Sequence, residues 1–362
     1  MNAIDNIDQV TPAWLTGILR EHDQSGHCEV VEVVCSRSRS SGLMSRRYHL
    51  ELKYSEDAKG TLPKRLFLKI GRPQYFDSSK REVTYWRELF AANNGFPDVH
   101  CYDAAYSVDT RSSHLLFSDV SDNYYALNDY PLSPSLDHCL QAVACLARNH
   151  AVNWGKALGK IREESLDGRS LVNAFDSVKR SAPSFFDFLG DRLTTPRRVQ
   201  YEKLLEKFPA LLKQRMKEES SLTLMHGDAH YWNFMFPRND NQQQALLLDW
   251  SEWEIGIGCY DLAFMIACFW YPDRRQRHEA AILNQYHKVL LENGVSSYSR
   301  QECDFDYRLG IMRNLILPIY MWNNNMPASI WLPRMELSFF AFEDLGCDLL
   351  LNKVNSGALQ RE

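Results

Sequence analysis

The stretch from Leu222 to Asp249 constrains the chain most. Two short apolar runs flank a polar loop. The first, Leu222 to Met225, delivers His226, Gly227 and Asp228; Asn233 then leads into Phe234-Met235-Phe236. Pro237 to Gln244 is rich in turn residues, and Ala245 to Leu248 reads as a second strand ending in Asp249. A hairpin of this kind puts Asp228, Asn233 and Asp249 at one end of two adjacent strands. Two carboxylates and an amide oxygen are hard donors, the set that a magnesium–phosphate site requires. Asp228 also suits a second task, accepting the proton of a substrate hydroxyl.

His226-Gly227-Asp228, then Asn233, then Asp249 resembles the catalytic and metal-binding loops of the aminoglycoside phosphotransferase and choline kinase superfamily. Those are small-molecule kinases with a protein-kinase-like fold, and protein kinases use the same chemistry in a catalytic-loop Asp and Asn and a later metal-binding Asp. The resemblance implies an α+β, bilobal fold: a small N-terminal lobe with an antiparallel sheet and one helix, and a larger, mostly helical C-terminal lobe. It implies ATP and Mg2+ as cofactors, Asp228 as catalytic base, and Asn233 and Asp249 as metal ligands. His226 would brace the loop. Asp261-Leu262-Ala263 matches the family's Asp-Leu-Ala after the metal-binding strand, so Asp261 would open a buried helix and hold the loop backbone around His226.

The N-terminal third carries the nucleotide expectations. Glu29 to Cys35 and Arg47 to Tyr54 read as strands around a serine/arginine loop. Gly42-Leu43-Met44-Ser45 weakly resembles the family's phosphate-covering loop, in which Gly42 would admit a phosphate and Ser45 would donate to it. Leu66-Phe67-Leu68-Lys69-Ile70 is an apolar run broken by one lysine, and a lone buried Lys is costly unless paired. By the resemblance Lys69 contacts the α- and β-phosphates, with a Glu on the following helix as partner, Glu82 first and Glu88 second. That helix begins near Ser78-Ser79, and Ser79-x-x-Glu82 also fits a capping box that would draw Glu82 to the helix terminus. Ser118-Asp119-Val120 stands where the family's hinge binds adenine. Backbone groups of Ser118 and Val120 would do so here, although an acidic residue often occupies the position of Ser118. The lobes then divide as 1–117, a hinge at 118–123, and 124–362.

Ser135 can cap a helix running from Asp137 to Asn153, on which His150 reads as a packed core residue. Lys156 to Arg198 reads as a charged, irregular insertion with helical patches. Val199 to Met216 is an amphipathic helix, Phe264 to Tyr271 is apolar on nearly all sides, and the remaining chain is helical.

Composition excludes other classes. The net charge of −5 argues against a general nucleic-acid binder. Nine cysteines with no Cys-x-x-Cys pair read as reduced thiols in a cytoplasmic protein. No apolar run approaches the ~20 residues that span a bilayer, so no membrane partner is expected. Two other readings of the loop remain. His226, Asp228 and His230 form a possible metal-ligand set for a hydrolase, and a nucleotide-binding module without catalysis would need no base.

The acceptor is expected to be aminoglycoside-, choline- or other alcohol-like. Trp232, Trp250, Trp253, Trp270, Trp322 and Trp331 can stack a quaternary ammonium or a bulky apolar alcohol. Glu252, Glu254, Glu343, Asp344 and Asp348 can instead meet a polycation.

Overall fold

A computed structural model describes residues 3–22, 28–38, 44–90, 99–127, 132–156, 171–239 and 244–353. The chain divides into two compact units. The first is Met1–Tyr125 with Met235–Glu252; the second is Ala126–Phe234 with Trp253–Glu362.

The first unit is built on a five-stranded antiparallel sheet of β1 (Val30–Arg37), β2 (Ser45–Tyr54), β3 (Arg65–Gly71), β4 (Cys101–Ser107) and β5 (Ser112–Ser118), in the order β1-β2-β3-β5-β4. Helix α1 (Pro12–His22) starts with Thr11 Oγ1 accepting from the Trp14 amide at 3.2 Å and Pro12 at the first helical position. Its Leu15, Ile18 and Leu19 recur at helical spacing and are buried in one cluster with Leu66, Leu68 and Ile70 of β3. Each such side chain contributes about 1.5–3 kcal/mol. Because strand side chains alternate, burying Leu66, Leu68 and Ile70 on one face sends Phe67 and Lys69 to the other.

Helix α2 (Phe76–Thr84) continues into a π-helical turn, Tyr85–Leu89. It begins at Phe76, before Ser78-Ser79, and has no side-chain cap, so Ser79 lies inside the helix and no capping box competes for Glu82. The turn presents Tyr85, whose ring stacks on Trp250 at 4.1 Å and 5°. That stack anchors the chain next to Asp249.

The second unit is mainly helical: α3 (Leu136–Asn153), α4 (Leu171–Leu189), α5 (Thr195–Met216), α6 (Cys259–Ala267), α7 (Pro272–Glu292), α8 (Arg300–Asn323), α9 (Ala328–Asp344) and α10 (Cys347–Lys353). Ser135 Oγ accepts from the His138 amide and caps α3. Every residue of α6 is buried. Gly310 of α8 admits it closely, since a Cβ there would stand 2.5 Å from that of Ala263, and Asn314 donates to the Ala263 carbonyl at 3.0 Å. Much of the stretch expected to be irregular is instead the 19-residue helix α4, with Pro183 inside it. Phe185 and Phe186 of α4 are buried, and that burial outweighs the helix-breaking proline.

The central hairpin also pairs differently from the simplest expectation. Strand β7 (Thr223–Met225) pairs with β10 (Glu254–Gly256), Met225 opposite Glu254. Strands β8 (Phe234–Pro237) and β9 (Leu246–Leu247) are neighbours in a three-stranded sheet with β6 (Tyr124–Ala126), in the order β6-β8-β9. No described helix is long and apolar enough to cross a membrane.

Candidate active site

In the first unit one carboxylate gathers two cations. Arg47 on β2 and Lys69 on β3 stand opposite each other in register. Like charges so placed repel, and Asp249 relieves this by meeting both, Lys69 Nζ at 2.8 Å and Arg47 at 3.3 Å. Glu82 completes the cluster from α2, its Oε2 2.6 Å from Lys69 Nζ, with both side chains nearly buried. Burial alone would depress the Lys69 pKa, but Asp249 and Glu82 outweigh it and hold the amine above its ordinary range. The Glu82 carboxyl is pushed up by burial, against the pull of Lys69. Asp249 has φ 66°, a left-handed conformation that Asp tolerates better than most residues and that costs of order 1 kcal/mol or more. Local strain of this kind clusters at functional positions.

Of the other nucleotide candidates, Gly42 lies outside the described residues. Ser45 is buried at the start of β2, and its hydroxyl has no hydrogen-bond partner among the described residues. Ser118 ends β5 with its amide donated to the His100 carbonyl at 2.8 Å. The Val120 carbonyl accepts from the amides of Asn123 and Tyr124.

In the second unit the polar loop after β7 is strapped from below. Asp261, in the first turn of α6 and 1% exposed, accepts from the His226 amide at 2.6 Å and the Gly227 amide at 2.8 Å. Gly227 takes φ 82°, which fits glycine at this tight turn. Asp261 also faces His150 Nε2 at 3.2 Å, while His150 Nδ1 meets Tyr286 Oη at 2.7 Å. Burial works to raise the Asp261 pKa; His150, His226 and the amide donors outweigh it and hold the carboxyl below its ordinary range. Gly258 is required beside this network, because a Cβ would stand 2.6 Å from Tyr286 Oη and 2.8 Å from His150 Nδ1.

The strap fixes Asp228. Its amide donates to His226 Nδ1 at 3.2 Å, and its carboxylate, about a third exposed, lies 3.4 Å from His230 Nε2. Burial would raise its pKa, but His230, His226 and Arg334 together hold it low, so Asp228 is ionised at neutral pH. Asn233 Nδ2 donates to the Asp228 carbonyl at 2.9 Å and more weakly to its carboxylate. With the amide so turned, Asn233 Oδ1 is left as a hard donor.

The hydrolase reading finds little here. His226 is fully buried with Nδ1 on a backbone amide, and no group of three or more His, Cys, Asp or Glu among the described residues is placed to hold a metal. Most of the aromatic candidates are core: Trp250, Trp253, Trp270 and Trp331 are at most 2% exposed. The sequence alone does not mark Arg47, Tyr286 or Arg334 as site residues. Arg47 is legible only through its register with Lys69, and the other two only through contacts across long separations.

Residues 87–295, more than half of the chain, match the sequence profile of the ecdysteroid kinase-like family. The chain belongs to the ecdysteroid kinase-like family. No curated protein sequence matches this family member significantly. Among solved structures, choline kinase from Cryptosporidium parvum Iowa II aligns over 96% of this chain and 98% of its own, with a TM-score of 0.53 and 14% identity. The GDP complex of wild-type aminoglycoside 2'-phosphotransferase-IIIa aligns over 94% and 100%, with a TM-score of 0.50 and 12% identity. At such identities the likeness is one of fold. This ecdysteroid kinase-like protein has the α+β, protein-kinase-like fold of the small-molecule kinases.

Proposed function

We propose that the protein transfers the γ-phosphoryl group of ATP to a hydroxyl of a small molecule, with Asp228 as base. The observation that carries this reading is the Lys69–Glu82–Asp249 cluster, a strand lysine shared between a helix glutamate and a carboxylate in a left-handed backbone. Membership of a kinase-like family supports it, as does the nucleotide in the aminoglycoside phosphotransferase complex. Residues 1–117 and the hinge at 118–123 bind nucleotide in this reading; 124–362 supply the base and the acceptor site.

The donor sets suit the chemistry. Lys69 and Arg47 form a cationic pair for the polyphosphate, and the buried Ser45 hydroxyl, without a partner among the described residues, adds a donor. Asp249 offers magnesium a carboxylate and Asn233 an amide oxygen. Magnesium, when bound, neutralises charge on the phosphates. The acceptor oxygen forms a bond to the γ-phosphorus as the bond to the bridging oxygen breaks and ADP leaves. The hydroxyl proton passes to Asp228 and then to water. A carboxylate held ionised is a weak base, which suits a loose transition state in which the proton is needed late. Nine cysteines, all free, support a reducing, cytoplasmic setting.

The test begins with nucleotide binding by calorimetry. ATP affinity is expected to rise with magnesium, and Asp249→Ala to remove most of that gain. Equal affinity with and without magnesium would overturn the metal assignment. ATP consumption is then followed against alcohols, amino alcohols, aminoglycosides and an ecdysteroid. Tight ATP binding with no transfer to any of them would favour a nucleotide-binding module.

Lys69→Met is expected to lower transfer about 10²-fold, the usual scale for losing one preorganised electrostatic contact. Its effect on the thermal melt should be small. Met keeps the apolar stem, and burial already favours the neutral form of Glu82. A melt far below wild type with normal turnover would make Lys69 purely structural.

A further inference from the structure

Arg334, on α9, is a half-buried cation whose guanidinium lies 5.2 Å from the Phe264 ring centre and 5.1 Å from that of Phe269. Among the described residues no carboxylate lies within ion-pair distance of it. Phe269 in turn packs edge-on against Trp232, at 5.5 Å, and His230, at 6.1 Å, and His230 stands over Asp228. Trp232, Phe269 and His230 are each only partly covered. The neighbourhood of the base is thus an aromatic shelf carrying a fixed positive charge.

Four of the five acidic candidates for drawing a cation already have a cationic partner. Glu254 pairs with Arg313 at 2.5 Å and Glu343 with Arg197 at 3.7 Å; Asp344 pairs with Arg275 and Asp348 with Lys203. The tryptophans of a would-be ammonium cage are mostly core. Building on the kinase reading above, we infer that Arg334, laid across Phe264 and Phe269 beside the Asp228–His230 pair, sets acceptor specificity by charge: the acceptor that reaches Asp228 carries no positive charge. The guanidinium repels an ammonium while the shelf accepts an apolar body. Its field also reaches Asp228, whose carboxyl it helps to hold low.

The test uses acceptors matched in shape and unlike in charge: choline and its uncharged carbon isostere 3,3-dimethylbutan-1-ol, and a hydroxysteroid with its amino-substituted analogue. Phosphate transfer is measured on the full chain with ATP and magnesium. Wild type should favour the neutral member of a pair at least about 10-fold in kcat/KM. Arg334→Glu should shrink that ratio at least about 10-fold or invert it, and Arg334→Lys should keep it. A purely structural arginine would lower both rates together and leave the ratio unchanged. Wild type preferring the cation, or a ratio unmoved in Arg334→Glu, overturns the inference alone. Transfer to neither member of either pair, nor to any other acceptor, overturns the kinase reading and this inference with it.

Discussion

Asp228→Asn is expected to lower phosphate transfer by about 10²–10⁴, the scale for losing a positioned general base. The change keeps the side chain's size and its reach to His230, 3.4 Å away, but an amide cannot take the acceptor proton. Nothing about Lys69, Arg47 or Asp249 changes, so magnesium-dependent ATP binding should survive. The fold should survive as well, since Asp228 is part-exposed and its backbone contacts to His226 and Asn233 do not use the carboxylate. Transfer rate, ATP affinity and bound metal, measured on this one variant, separate three chemistries. A kinase loses rate only. A hydrolase that ligates metal through Asp228 loses metal and rate together. A binding module has no rate to lose. Turnover within a few-fold of wild type would sink the assignment of Asp228 as base.

The residues legible in the sequence were those whose local setting made them costly. Lys69 stands out because one charge interrupts an apolar strand, and a buried amine demands a partner. Its nearest helix carried Glu82, and the structure puts the two 2.6 Å apart. Asp228 and Asn233 stand out by fixed spacing in a loop between apolar runs. What stayed hidden depends on pairing across long separations. Arg47 looks like one more polar residue at the start of a strand until sheet register sets it against Lys69. Strand β7 is three residues long, too short to declare that its partner is Glu254–Gly256. Glu254, Glu343, Asp344 and Asp348 look like a solvated acidic face; their counter-ions lie 59, 146, 69 and 145 residues away and cancel them. Helix α4 reads in the sequence only as helical patches because Pro183 and a charged approach break its pattern, whereas tertiary burial of Phe185 and Phe186 sustains it.

Asp261→Ala is expected to cost stability first. The carboxylate is 1% exposed and accepts from the His226 amide, the Gly227 amide and His150. Truncation leaves those donors buried without an acceptor, at about 1–3 kcal/mol each, so a loss of at least ~3 kcal/mol is expected, a large part of an ordinary domain's margin. Asp261→Asn keeps one acceptor oxygen and should fall between the two. The signature is local as well as global. Amide exchange at His226 and Gly227 should accelerate even in mild conditions, because their bonds to Asp261 hold the loop closed. The effect also has a pH sign. The folded-state pKa of Asp261 lies below its ordinary value, so its contribution is fully present above about pH 4, the unfolded value, and is lost as pH falls through the folded pKa. The difference in urea midpoint between wild type and Asp261→Ala should therefore be steady at neutral pH and narrow in acid. Turnover should fall with it, because the loop that aims Asp228 is no longer strapped. An unchanged midpoint together with unchanged exchange at His226 and Gly227 would show that the loop is held by something other than Asp261.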